Sequence, residues 1–178
     1  MGMLTSARVE IAAPASEVFA WLIEPAKLTA WLGAAGAMPE DTSQLRAGWT
    51  GSSESPPLGT VSIEIRVYNP PERLEYRTVY PGGDALTTYR LTEGDGVTTL
   101  VCEGDTDWAR PEGAWDAMVD AAVEGQPEGT REAVQAQLDE AEMQLDAGRF
   151  DSLAQGPMQE ALEASLQKLK TLVESGAA

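Results

Sequence analysis

The chain has 178 residues, 43% hydrophobic and 23% charged, a length that makes one ordinary domain or one domain carrying an appendage. Twenty-nine acids against 12 bases give a net charge of -17, a field that repels phosphate backbones and anionic lipid, so neither nucleic acid nor a membrane is expected as a partner. There is no histidine, which excludes Ser-His-Asp and Cys-His catalysis and His-ligated zinc or haem, and the single Cys102 makes neither an internal disulfide nor a Cys-rich metal site. No metal and no cofactor are therefore expected.

In chain order, Arg8 to Ala12 reads as a short extended run. Pro14 then stands where a first-turn proline is tolerated, ahead of Val18, Phe19, Leu22 and Ile23 at helical spacing. Pro25 ends that helix, and Ala26 to Leu32 reads as a second short one, with Leu28, Trp31 and Leu32 apolar on one side and Gly33 as its stop. From Gly48 to Gly104 the period changes to two, clearest where Val61, Ile63, Ile65 and Val67 alternate with Ser62, Glu64, Arg66 and Tyr68, which predicts one buried face. Asn69-Pro70-Pro71-Glu72, Pro81-Gly82-Gly83-Asp84 and Glu93-Gly94-Asp95-Gly96 punctuate the run as turns, giving an antiparallel meander.

Beyond Arg110 the patterns are helical: Trp115, Met118, Val119 and Ala122; then Val134, Leu138, Ala141 and Leu145; then Met158, Leu162, Leu166, Leu169 and Leu172 or Val173, with Pro157 placed early in the last helix. Charge marks a boundary here, because residues 112–163 hold 13 acids and 2 bases, a net of -11 of the chain's -17. The chain thus reads as a single domain, 1–178, with 112–156 an acidic helical insertion ahead of the closing helix.

Three stretches together resemble one known superfamily. Val9 to Phe19 through Trp31-Leu32-Gly33 is similar to its opening strand, Pro-led helix and Trp-Leu-Gly stop; Val67 to Tyr76, with Pro70-Pro71-Glu72-Arg73-Leu74, is similar to its turn between two sheet strands; Tyr89 to Thr92, Gly96 to Leu100 and Leu162 to Val173 are similar to its later hairpin and closing helix. The superfamily is START-like (SRPBCC), and the resemblance is to the branch related to the Hsp90-ATPase-activator C-terminal domain. It implies an α+β helix-grip fold, a curved antiparallel sheet wrapped around a long C-terminal helix, with an apolar cavity between the two. An apolar sheet face needs an amphipathic helix to cover it, so the residue patterns agree.

Candidate ligand-binding residues are the aromatics Trp31, Trp49, Tyr76, Tyr89 and Trp108, with Trp115 beside them, since binding cavities are mostly apolar with a few polar tips. Tyr76 and Tyr89 stand out, being on strands with a hydroxyl that needs a partner if buried. Each of these rings would equally serve as core. Arg66, Arg77 and Arg90 fall on the polar phase of their strands and are expected in solvent, and Cys102 reads as a small buried hydrophobe. No catalytic constellation emerges, so catalytic residues stay unknown and the residues favour a binding protein over an enzyme. The reading is a cytoplasmic START-like protein that binds a small hydrophobic molecule between sheet and C-terminal helix. One alternative is an Hsp90-activator-like interaction module that docks a protein partner through its acidic helices. A second is an enzyme like the polyketide cyclases and dehydratases.

Overall fold

Alternating apolar and polar residues build a sheet only where turns return the chain on itself, and the turn chemistry here is explicit. Asp95 and Gly96 both hold positive φ, 53° and 77°, which is the two-residue turn whose twist suits a hairpin, and Gly94 pairs with Val97 across it. The computed structural model describes residues 3–33, 36–55, 59–80, 83–108 and 150–176. Its elements are β1 (Met3–Ile11), α1 (Ala15–Ile23), α2 (Pro25–Leu32), a 3-10 turn (Thr42–Gln44), β2 (Thr50–Ser55), β3 (Gly59–Asn69), β4 (Arg73–Tyr80), β5 (Gly83–Gly94), β6 (Val97–Trp108) and α3 (Phe150–Glu174). The strands form one antiparallel sheet of six in the order β1-β6-β5-β4-β3-β2, with the long C-terminal helix α3 lying against β1. This is the α+β helix-grip architecture.

The two short helices are set by local rules. Pro14 precedes α1 as its N-cap, and the free amide of Ala15 is taken by the Glu93 carboxylate at 2.8 Å, reaching over from β5. Pro25 both closes the first helix and opens the second, and Gly33, at φ 85°, ends α2 in the left-handed conformation a glycine adopts without strain. Glu93→Ala is therefore expected to lower stability by about 1 kcal/mol, an ordinary cap loss, with Glu93→Gln recovering part of it as a neutral acceptor; urea unfolding of the two variants checks this.

The core lies between the concave face of the sheet and the helices. Val9, Ile11, Ile65, Leu74, Leu91 and Leu100 come from the strands, Val18, Phe19 and Leu22 from α1, and Leu166, Leu169 and Val173 from α3, all buried. Helix α3 also seals the edge of β1. The Gln159 amide accepts from the Ser6 N–H at 3.1 Å and donates to the Ser6 carbonyl at 2.7 Å, as a neighbouring strand would, while Lys170 donates to the Glu10 carbonyl at 2.6 Å and Glu174 accepts from the Ala12 N–H at 2.8 Å.

Two elements differ from the sequence expectation. A bulge in β3 between Ile65 and Val67 shifts the register against β4, so beyond it Tyr68, opposite the buried Leu74, packs on the core and touches Phe19 ring to ring at 5.9 Å; the strict alternation had put Tyr68 on the polar face and Val67 on the apolar one. Helix α3 begins at Phe150 and runs through Pro157, so residues 150–156, read as the end of the insertion, are its first turns. A proline with a full turn of helix before it forfeits one backbone hydrogen bond, which is why sequence rules place a helix start there. The remainder of the insertion, 112–149, lies outside the described residues, as does Trp115.

Candidate functional site

Register places side chains on the concave face in rows across the strands, and the rows change character along the sheet. The row Val9, Leu100 and Leu91 is wholly buried, as is the next, Ala7, Cys102, Tyr89 and Leu74. The third row is Thr5, Gly104, Thr87, Tyr76 and Ile65, and the fourth brings Thr106, Ala85, Thr78 and Ile63 together. Apolar floor thus gives way to hydroxyls and small residues over one strand spacing. Thr5, Tyr76, Thr78, Ala85, Thr87 and Gly104 are only partly buried, in contrast to the rows that α1 and α3 cover.

Gly104 matters by what it lacks. A Cβ there would lie 2.7 Å from the Thr5 Oγ1, so the glycine lets that hydroxyl settle over the strand. With Thr87 and Ala85 on β5 also small, the third and fourth rows present small side chains beside the bulkier Tyr76 ring. Tyr76 and Tyr89 stand with ring centroids 6.1 Å apart at 40°. Desolvation raises the pKa of both phenols, that of Tyr89 the more strongly; hydrogen bonding to Tyr89 and Thr87 acts the other way on Tyr76. Burial likewise pushes the Cys102 thiol up to about 12, so at neutral pH the site holds neutral hydrogen-bonding groups and no thiolate nucleophile. Tyr80, opposite Gly83 at the far end of β4, has its pKa raised too, chiefly by desolvation.

The aromatic residues singled out in the sequence separate in the structure. Tyr76 and Tyr89 meet ring to ring on the concave face. Trp31, 3% exposed, packs between the short helices and donates its indole N–H to the Trp21 carbonyl at 2.9 Å. Trp49 is half-buried at the β2 end, its ring over Gly51, where a Cβ would come within 2.3 Å of it. Trp108 is the last residue of β6, opposite Gly83. Thr5, Thr78, Thr87, Gly104 and Thr106 share the concave face and were not singled out, although on the inward phase of β6 the sequence runs Leu100, Cys102, Gly104, Thr106, from apolar to small and polar. Arg66, Arg77 and Arg90 are on the outer face as expected, paired with Glu64, Asp84 and Glu103.

A curved antiparallel sheet gripping a C-terminal helix, with hydroxyls gathered on half of its concave side, defines a protein of the START-like (SRPBCC) superfamily. Within it, residues 4–140 match the family described as "Polyketide cyclase / dehydrase and lipid transport", and the chain belongs to that family. No curated protein matches it. Among solved structures it is similar to protein BH1534 of Bacillus halodurans (13% identity, TM-score 0.58, 98% of this chain and 97% of that one) and to protein CV1439 of Chromobacterium violaceum (16%, 0.53, 97% and 97%). It is also similar to DynU16, a protein of the dynemicin biosynthetic locus, at 18% identity and TM-score 0.51 over 98% of this chain; the chain spans about half, 48%, of that protein. At these identities the likeness is one of fold. Among the described residues, no helix is long and apolar enough to cross a membrane.

Proposed function

We propose that the protein binds a small hydrophobic molecule against the concave face of its sheet, beside Tyr76 and Tyr89. The observation that carries this reading is the change along the inner face from buried aliphatic rows to partly exposed Thr5, Thr78, Thr87 and Gly104, where an apolar floor meets hydroxyls able to orient a guest. The family supports it, since its description names polyketides and lipids, both largely apolar. Trp49, half-buried at the β2 end, would bound the site; Trp31, with its indole already bonded, is left out of it.

The family's name also favours one second reading, a cyclase- or dehydratase-type reaction. Tyr76 and Tyr89, whose phenols are protonated at neutral pH as ordinary tyrosines are, would polarise a ligand carbonyl by donating to its oxygen. The Hsp90-activator-like alternative depends on the acidic segment, of which 112–149 lie outside the described residues.

The test is native mass spectrometry of the full chain with 1-hydroxyanthraquinone, an uncharged tricyclic ketone. A one-to-one complex is expected, lost in Ala85→Trp, whose indole would fill the site while thermal unfolding shows the fold retained. Absence of a complex in the unsubstituted protein, or an equal complex in the variant, would contradict the site.

A further inference from the structure

The sheet's arginines lie on the wrong side to hold an anionic guest. Arg8, Arg66, Arg73, Arg77 and Arg90 all project from the convex face, where they pair with Glu10, Glu64, Glu75, Asp84 and Glu103. The other described cations are also committed away from the proposed site: Lys27 to Glu24 at 2.8 Å and over the Trp21 ring, Lys170 to the Glu10 carbonyl and Glu174, Arg46 to the Gln44 carbonyl, and Lys168 exposed on α3. The concave-face rows of the proposed site carry neutral groups, Thr5, Tyr76, Thr78, Thr87, Gly104 and Thr106.

From this arrangement we infer that the site selects uncharged molecules carrying hydrogen-bonding oxygens or N–H groups, and rejects carboxylates, sulfonates and phosphates. The inference rests on the ligand-binding reading above and narrows it to a chemical class. An anion entering the proposed site gives up hydration and meets no cation among the described residues, while the chain's net charge of -17 repels it from a distance. A neutral ketone, phenol or amide surrenders far less hydration, and the Tyr and Thr hydroxyls replace it as donors and acceptors. Specificity by charge exclusion costs no dedicated contact: it follows from which strand phase the arginines occupy.

Two fluorophores of nearly one shape separate the cases, N-phenyl-1-naphthylamine, which is neutral, and 1-anilinonaphthalene-8-sulfonate, which carries one negative charge. Fluorescence titration of the full chain is expected to show the neutral probe binding at least about tenfold more tightly, about 1.4 kcal/mol. The preference should survive at about 1 M salt, where a Debye length of about 3 Å removes the long-range repulsion and leaves the local effect. Thr87→Lys, or Thr78→Lys should the first variant lose its fold, is expected to reverse the order by supplying the missing cation. Equal affinity for the two probes, or a preference that vanishes in salt, overturns the inference while leaving ligand binding intact. Failure of both probes to bind overturns the binding reading along with it.

Discussion

Replacing Leu166 by Ala is expected to cost about 2 to 5 kcal/mol, because that side chain is 1% exposed and joins Leu169 and Val173 in filling the space between α3 and the sheet. The loss has two parts, the transfer energy of the deleted atoms and the void they leave in a core that closes only partly. Leu162 and Leu172 are partly buried and pack on the rim of the same cluster, so their Ala variants should lose less, which makes the series a map of how α3 sits. A change below about 0.5 kcal/mol for Leu166→Ala in urea unfolding, the scale of a surface substitution, would mean that the helix does not close the core.

Raising the pH is expected to destabilise the fold in two stages, the first belonging to Cys102. Burial lifts its thiol from the ordinary 9.0 to about 12 in the folded chain. Below the ordinary value both states keep the proton and stability is at its full level. Above it the unfolded chain releases the proton and the folded chain does not, so stability falls by up to about 1.4 kcal/mol per pH unit, roughly 4 kcal/mol by pH 12. Tyr76 and Tyr89, whose pKa values are also raised by burial, add the same sign of effect from about pH 10 upward. Cys102→Ala removes the first stage, so the difference between the two proteins should open between about pH 9 and pH 10, ahead of the tyrosines. Urea midpoints measured across this range give the curve. Parallel curves for the two proteins would show that the thiol is not desolvated as described.

Much of this fold can be read from spacing alone, because its determinants are local. The Asp95-Gly96 hairpin, the Gly33 stop and the alternation through Val61, Ile63 and Ile65 each depend on residues within a few positions of one another. What stayed hidden depends on relations between strands. The bulge at Arg66 is a register event, and nothing in a period-two pattern announces that Tyr68 rather than Val67 turns inward. The bond of the Trp31 indole to the Trp21 carbonyl forms only when α2 docks on α1, so spacing could not announce it. The small residues of the proposed site, Thr5, Thr87 and Gly104, carry no local signal, because what they contribute is space on a face that only the strand register assembles. The outward arginines could be placed from strand phase, yet their bearing on ligand charge emerged only once the opposite face was seen to be neutral.

Threonine methyl resonances offer the most direct test of the central claim, that the hydroxyl-lined half of the concave face is where a guest binds. In a 13C-methyl-threonine sample titrated with N-phenyl-1-naphthylamine, Thr5, Thr78, Thr87 and Thr106 should shift together and saturate at one equivalent. Thr88, one residue from Thr87 but facing Glu75 on the convex side, should stay put, and so should Thr99. Shifts confined to the convex-face threonines, or none at saturating probe, would contradict the site and the function built on it.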